Sequence, residues 1–356
     1  MVVRLFVKAG LARIFRRWER LPLLGLVFVL VFALVFLLYQ GQLLNGVQTS
    51  SQCEIGQVGD VLYQDVLRNY SRYVRQAPKL LPNAELYILI VANNQDHANR
   101  KVILDTWASP KHSKWVKTGR AQIIFLYGKV KKTSSVNMKE NILEIDVEEK
   151  YGNLLLKEIV AYRWLTEQTK TGHVLKIDGS DTVVDVDLLA DILNTTRGNK
   201  EIAVHCATWK SVHPIRDECN RWYVPYSAVK EDYFPDYCGG PAYAMSVGTL
   251  SKIVQQAYNH KPIVVEDAFF TGILAKQAGV ALKDQAEIFS SHGCLVHFYH
   301  KIGYWLVGAD LSKDHRLTCN SAGKKITAVI NSHNCKNKTL SYLWNVLKTG
   351  ECDEYL

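Results

Sequence analysis

The sequence predicts an α/β fold, a mostly parallel sheet flanked by helices and preceded by a single transmembrane helix. Three observations carry this. Short apolar runs alternate with helical patterns from residue 85 onward, as in strand–helix–strand units. A single uncharged run, Leu21–Tyr39, stands near the amino terminus behind a basic segment. The eight cysteines (Cys53, Cys206, Cys219, Cys238, Cys294, Cys319, Cys335 and Cys352) all follow that run.

The elements follow in chain order. Residues 1–20 carry Arg4, Lys8, Arg13, Arg16, Arg17 and Arg20 against Glu19, and read as a cytosolic tail. Residues 21–39 extend about 28 Å as a helix, enough for a hydrocarbon core. The charge bias predicts an amino terminus in the cytosol and a luminal remainder, the arrangement of a type II signal anchor. A cleaved signal peptide fits less well, because the run is long and lacks a small-x-small site. Residues 40–84 read as a luminal stem with a short helix over Gly59–Gln76, ending at Pro78 and Pro82. Leu86–Asn93 and Ala121–Gly128 predict buried strands, Asn141–Val147 a shorter one, and His173–Asp178 a fourth. His97–Thr106 and Asn153–Thr169 predict helices, the second with Leu154, Ile159, Tyr162 and Leu165 at helical spacing. The domain is expected over 85–305, with 306–356 as its cysteine-containing extension.

Composition excludes some functions. The formal net charge is +9, and the tail alone supplies +5 of it, so the rest carries only +4 over more than 300 residues. That is not a nucleic-acid footprint. No CxxC pair suggests a zinc ribbon or thioredoxin motif, and no Gly-x-Gly-x-x-Gly follows the first strand, which excludes a dinucleotide fingerprint there. Disulfides are expected in an oxidising lumen, with the pairing open. Asn69, Asn194 and Asn337 begin glycosylation sequons that a luminal chain can use.

The chemistry concentrates in a few segments. Leu175–Val184, LKIDGSDTVV, runs from an apolar strand into Asp178 and Asp181 at its carboxyl end. Strand carboxyl ends face the ligand crevice in open α/β sheets, and paired carboxylates suit Mg²⁺ or Mn²⁺. A capped strand-to-helix turn uses the same residue types. Glu266-Asp267 opens a helix, where two acids also suit the helix dipole. In Tyr233–Ser246, Gly239, Gly240 and Pro241 allow a tight turn, and Tyr233, Tyr237 and Tyr243 can stack on sugar faces; an aromatic core corner stapled by Cys238 is the competing reading.

Seven blocks in order then point to a family: RKVILDTW (Arg100–Trp107), FLYG (Phe125–Gly128), YGNLLLK (Tyr151–Lys157), KIDGSD (Lys176–Asp181), HPIRDECNRWYV (His213–Val224), YFPDYCGGPAYAMS (Tyr233–Ser246) and VEDAFFTG (Val265–Gly272). Over roughly residues 85–280 this succession resembles the β-1,3-galactosyltransferase and β-1,3-N-acetylglucosaminyltransferase group, glycosyltransferase family 31. The resemblance implies a GT-A type fold in the Golgi membrane and inverting transfer from a UDP-sugar to a glycan hydroxyl on protein or lipid. It implies a Mn²⁺ cofactor at an Asp-x-Asp motif, here Asp178 and Asp181, with a further histidine ligand for which His292, His297 and His300 are the candidates and His297 the choice, a histidine satisfied within the core being the competing reading. Asp267 is implied as the base and Glu266 as its neighbour. Arg100, Lys176 and Asp178 fall on the donor side; Trp222, Tyr237, Gly239, Gly240 and Tyr243 fall on the acceptor side. Trp107 is expected to pack, and Arg216 to hold a structural loop. Two departures stand out. The family's usual Lys-x-Asp-Asp-Asp has become Lys176-Ile177-Asp178-Gly179-Ser180-Asp181, so either Ser180 replaces the last acid or an inserted residue moves it to Asp181. Leu104 stands where a second arginine is usual. The altered loop keeps open a second class of function, a non-catalytic relative acting as chaperone, partner subunit or glycan-binding protein.

Overall fold

The computed structural model describes residues 63–93, 95–129, 141–195, 202–261, 263–291, 317–332 and 339–350. The expected tail and anchor, 1–39, lie outside them, as do His297 and Asn337. Among the described residues no helix is long and apolar enough to cross a membrane.

The strands are β1 (Val74–Gln76), β2 (Leu86–Val91), β3 (Ala121–Tyr127), β4 (Ile142–Ile145), β5 (His173–Asp178), β6 (Thr182–Val184), β7 (Ala203–Trp209), β8 (Tyr237–Ser246), β9 (Ala281–Asp284), β10 (Phe289–Ser291) and β11 (Val329–Asn331). Among the described residues they form an eight-stranded sheet in the order β1-β4-β3-β2-β5-β8-β7-β9 and a three-stranded sheet, β10-β11-β6. The helices His97–Asp105 and Leu154–Gln168 lie within a residue or so of the expected bounds. The result is a mixed α/β fold, a central sheet with flanking helices.

β2 shows why the strand forms. Its six residues are all buried. Successive side chains point to opposite faces of a strand. Leu86, Ile88 and Ile90 therefore enter one core with Trp107, Phe125 and Leu175, while Tyr87, Leu89 and Val91 enter the other with Ile159, Tyr162 and Leu165. A continuous apolar run is what a strand buried on both faces requires. Trp107 is 1% exposed and packs as expected. Leu104 is half-buried against the same core.

Two expectations are corrected. The sheet is mixed rather than mostly parallel: β4, β3, β2 and β5 are parallel neighbours, but β8 runs antiparallel to both β5 and β7. β8 is entered from the long connection after β7, which lets the chain reverse instead of crossing over through a helix. The helix expected over Gly59–Gln76 is, in its described part, two short helices, Tyr63–Arg68 and Tyr70–Tyr73, followed by β1. Asn69 interrupts the helix, and Val74 begins an edge strand antiparallel to β4. Tyr63, Val66 and Leu67 are buried in the core beside the Leu154–Gln168 helix, so this part of the expected stem belongs to the folded body.

β11 pairs with β6, and the Ser332 N–H donates to the Asp181 carbonyl at 3.0 Å. Residues near the carboxyl end thus brace the loop that carries Asp181. On the embedding of residues 63–76, Leu67→Ala is expected to cost about 2–5 kcal/mol. Denaturant unfolding checks this; a change below about 0.5 kcal/mol, the surface-substitution range, would mean that the segment is a stem after all.

Candidate active site

The site is assembled at the carboxyl ends of β2 and β5. A cavity of about 300 Å³ opens there, lined among others by Asn93, Asp96, Asn99, Arg100, Tyr151, Lys157, Asp178 and Ser180. The Asp96 side chain accepts from the Asn99 N–H at 3.1 Å and starts the helix that delivers Arg100. Arg100 is buried, with its guanidinium 4.8 Å from the centre of the Phe125 ring. Lys157 reaches back from its helix to both Glu149 carboxylate oxygens, at 3.1 Å each, and to the Ala92 carbonyl at 3.3 Å.

β5 ends at Asp178, and Gly179 turns the chain under Val91, its N–H donating to the Val91 carbonyl at 2.9 Å. A Cβ on Gly179 would lie 2.7 Å from Ile90 Cγ2, so this turn requires glycine. Asp178 Oδ1 accepts from the Ser180 N–H at 2.9 Å and the Ser180 hydroxyl at 2.7 Å. Asp181 Oδ1 accepts from the Thr182 hydroxyl at 2.9 Å. Burial first, and then the charge of Asp181, push the Asp178 carboxyl above its ordinary range. Two carboxyls on one loop, one of them raised by burial and by the other's charge, are hard oxygen donors of the kind a divalent cation takes. Asp178 lines the cavity, and Asp181, three residues on, does not; the two are the acids of the shifted motif. It remains a two-carboxylate set: among the described residues no group of three or more His, Cys, Asp or Glu could hold a metal.

The second half of the site lies across β5. Lys176 is 3% exposed and lies outside the cavity lining, which corrects its expected donor contact. A strand alternates its faces, so Lys176 and Asp178 share one face and Ile177 takes the other. The Lys176 ammonium meets Glu266 Oε1 at 2.6 Å, the Gly240 carbonyl at 2.8 Å and Glu158 Oε1 at 3.5 Å. Glu158 is fully buried on the Leu154–Gln168 helix, and burial raises its carboxyl to about 8 against the opposing pull of Lys176. No sequence signal marks it: a glutamate inside a helix ordinarily reads as a solvated face.

Glu266 and Asp267 are both buried, at 6% and 8% exposure. Asp267 Oδ1 accepts from the Ala268 N–H at 2.8 Å, and Oδ2 accepts from the Gly240 N–H at 3.0 Å. Asp267 therefore caps the turn it opens, and that turn, Ala268–Leu274, is π-helical, a geometry found often at functional sites. Capping bonds lower a carboxyl's pKa, but burial and the neighbouring Glu266 outweigh them and raise Asp267 to about 7. A buried acid held near neutrality suits proton transfer.

The aromatic block differs from expectation. Gly239 and Gly240 lie within the continuous strand β8, not in a tight turn. A Cβ on Gly240 would stand 3.1 Å from Asp267 Oδ2, so its absence lets the carboxylate approach the strand. Tyr243 is 1% exposed and shares a 2.7 Å hydrogen bond with Tyr162 behind the acids, placing it in the core rather than on an acceptor wall. The Tyr237 phenol is raised by burial and by the charges of Asp267 and Glu266. Trp222 Nε1 donates to the Tyr151 hydroxyl at 2.5 Å, and Arg221 lies over both rings. Tyr151 lines the cavity, and burial first, and then the charge of Glu266, raise its phenol to about 12. Arg216 donates to the Val224, Val229 and Glu231 carbonyls and fixes the loop carrying Trp222. A disulfide joins Cys206 to Cys238 across β7 and β8. Of the sequon residues, Asn69 donates to the Asp65 carbonyl at 3.0 Å, and Asn194 sits half-buried in the helix Val186–Thr195.

Strand ends that carry carboxylates beside a cavity are where α/β sheets hold their ligands. Comparison with known proteins makes the class specific. The Galactosyltransferase family model matches residues 98–286, and the chain belongs to that family. It is similar to Beta-1,3-galactosyltransferase bre-2 of Caenorhabditis elegans, 25% identical over 62% of this chain and 64% of that protein. It is similar to Lactosylceramide 1,3-N-acetyl-beta-D-glucosaminyltransferase of Rattus norvegicus, 21% identical over 82% of this chain and 81% of that one. Beta-1,3-galactosyltransferase 1 of Mus musculus is 26% identical over 55% of this chain and 61% of its own length. The matches to the two galactosyltransferases thus span less than two thirds of those proteins. Among solved structures, mouse Xyloside xylosyltransferase 1 aligns at a TM-score of 0.38 with 10% identity, over 71% of this chain and 98% of that one.

The raised carboxyls have a consequence for stability. Glu158 and Asp267 hold protons in the folded state at pH values where the unfolded chain has released them. Their contribution is present below the ordinary carboxylate range and is lost as pH rises through about 7 to 8. Unfolding free energy is therefore expected to fall from pH 5 to pH 8, and Glu158→Gln to flatten that slope. An unchanged slope in Glu158→Gln would contradict the assignment to Glu158.

Proposed function

We propose that this protein is an inverting, UDP-sugar-dependent hexosyltransferase forming β-1,3 linkages. It moves galactose or an N-acetylhexosamine to a hydroxyl of a protein- or lipid-borne glycan. The observation that carries the reading is the pairing of a cavity that holds Asp178 and Arg100 on its wall with a buried near-neutral acid, Asp267, tied together through Lys176. Membership of the Galactosyltransferase family supports it and does not favour the non-catalytic alternative. The cavity would take the UDP moiety, with Arg100 on its wall, and the fold would be of the GT-A type.

Transfer with inversion needs one base on the face of the sugar opposite the diphosphate. In this reading Asp267 takes the proton of the acceptor hydroxyl. The acceptor oxygen then forms its bond to the anomeric carbon as the bond to the diphosphate oxygen breaks, and UDP leaves with that electron pair. Glu266, fixed by Lys176, keeps Asp267 oriented and holds its proton affinity up. Asp178 and Asp181 would hold a Mn²⁺ ion, which neutralises charge on the departing diphosphate when bound. Tyr151 and Trp222 would close the side of the site between donor and acceptor.

By the same reading residues 21–39 anchor the protein in the Golgi membrane, and the folded body, which takes in residues 63–76 and β11 besides the expected 85–305, lies in the lumen. Asn69, Asn194 and Asn337 are then available for glycosylation.

The test is transfer from UDP-galactose, UDP-N-acetylglucosamine and UDP-N-acetylgalactosamine to a panel of β-galactosides and β-N-acetylhexosaminides, followed by mass. Asp267→Asn is expected to lower kcat about 10²–10⁴-fold with UDP affinity unchanged. Wild-type kcat/KM should fall tenfold per pH unit below about 7, as Asp267 gains its proton. Chelator should weaken UDP binding in the wild type, and Asp181→Ala should remove that dependence. No transfer by a well-folded protein across the whole panel would overturn the enzyme reading.

A further inference from the structure

We propose that the cavity between the Ala268–Leu274 turn and the carboxyl ends of β7 and β9 is an acceptor subsite. It takes the reducing-end sugars of an oligosaccharide whose terminal hydroxyl is presented to Asp267. The proposal rests on the glycosyltransferase reading above.

This cavity measures about 630 Å³, against about 300 Å³ for the one that holds Asp178. β8 runs antiparallel to both β5 and β7, and β9 runs parallel to β7. The carboxyl ends of β5, β7 and β9 therefore share one edge of the sheet. That edge is where open α/β sheets bind ligands.

The cavity also lies on the same side of the sheet as the turn that Asp267 opens. Val204 pairs with Leu282 and Cys206 with Asp284. Val204, Cys206 and Leu282 pack into the core that contains Phe269, Phe270 and Leu274. Residues two apart on a strand share a face, so Thr208 and Asp284 belong to this side. Both line the cavity, together with Leu282 and with Thr271 and Gly272 of the turn itself. The Thr271 hydroxyl donates to the Asp267 carbonyl at 2.6 Å and accepts from the Cys238 N–H at 2.9 Å. One helical turn thus separates the cavity wall from the proposed base. The wall is braced: the Cys206–Cys238 disulfide ties β7 to β8, and a Cβ on Gly272 would stand 3.1 Å from Tyr237 Cβ.

The charges of the lining select a ligand class. Asp284 Oδ1 accepts from the Thr208 N–H at 3.1 Å, and Oδ2 meets the Lys210 ammonium at 3.3 Å. Asp236, at the entry to β8, and Lys276, on the helix, are exposed, and neither side chain has an ion pair or hydrogen bond among the described residues. A second diphosphate would meet two carboxylates, and an apolar ligand would strand four charges. A neutral polyol suits both signs, because its hydroxyls donate to carboxylates and accept from ammoniums. The cavity at Asp178 already provides for the donor, so the polyol that belongs here is the acceptor. Contacts remote from the reacting hydroxyl can hold it in place for transfer.

The test compares kcat/KM for acceptors of two lengths on the full-length protein. Methyl β-galactoside and methyl β-N-acetylglucosaminide are set against trisaccharides ending in the same sugar. In the wild type the trisaccharide is expected to be the better acceptor by about tenfold. That ratio should fall toward one in the double variant Asp236→Ala/Lys276→Ala and take intermediate values in the single variants. Both side chains are exposed, so their truncation leaves the core intact. Saturation-transfer NMR gives a second readout without turnover: reducing-end protons of the trisaccharide should be enhanced in the wild type and lose that enhancement in the double variant. A wild type indifferent to acceptor length overturns the subsite, as does a double variant that keeps the ratio. A well-folded wild type that transfers to no acceptor overturns the glycosyltransferase reading, and the subsite falls with it.

Discussion

The buried ammonium of Lys176 is the interaction on which the site depends. A desolvated lysine in the middle of a sheet is tolerated only with charged and polar partners on every side. Here they are Glu266, the Gly240 carbonyl and Glu158, contributed by three different parts of the chain. One positive charge faces two carboxyls, and burial resolves the imbalance by raising Glu158 toward protonation. The arrangement also links two functions. Lys176 sits two residues before Asp178 on β5, and its partner Glu266 precedes Asp267 in sequence. The cavity side and the acid side are thereby held in one register.

Around that link the small residues are as informative as the charged ones. Gly179 lets the chain turn beneath Val91, and Gly240 lets the Asp267 carboxylate reach the backbone of β8. Any side chain at either place would meet occupied space at 2.7 Å and 3.1 Å respectively. The π-helical turn that Asp267 caps adds a local distortion at the same point. The turn at Gly179 thus shapes the cavity wall, and the approach at Gly240 and the π-helical turn shape the acid side.

Much of this was legible in the sequence, for identifiable reasons. β2 is buried on both faces and so reads as an unbroken apolar run, and β3 departs from one only at Gln122. The Leu154–Gln168 helix shows its spacing because one core accepts most of its surface. The acids Asp178, Asp181, Glu266 and Asp267 were singled out through motif order; the structure puts Asp178 on the cavity wall and buries Glu266 and Asp267 against Lys176 and β8. What stayed hidden depended on tertiary partners. Tyr243 reads as a sugar-stacking residue until Tyr162 is placed against it. A Gly-Gly-Pro triplet reads as a turn unless a tryptophan and a carboxylate are known to press on the strand. Glu158 is invisible without Lys176. β1 was hidden because its three residues make a strand only when β4 is beside them.

The role of Lys176 is the most direct point of attack. As a donor contact it would govern UDP affinity; as a buried tie it would govern the acid pair. Lys176→Met keeps the length of the side chain and removes the charge. UDP affinity by calorimetry and transfer rate should be measured together on that variant and the wild type. The account predicts a large loss of transfer with UDP affinity nearly unchanged. A fall in UDP affinity that tracks the loss of transfer would contradict it and return Lys176 to the donor site.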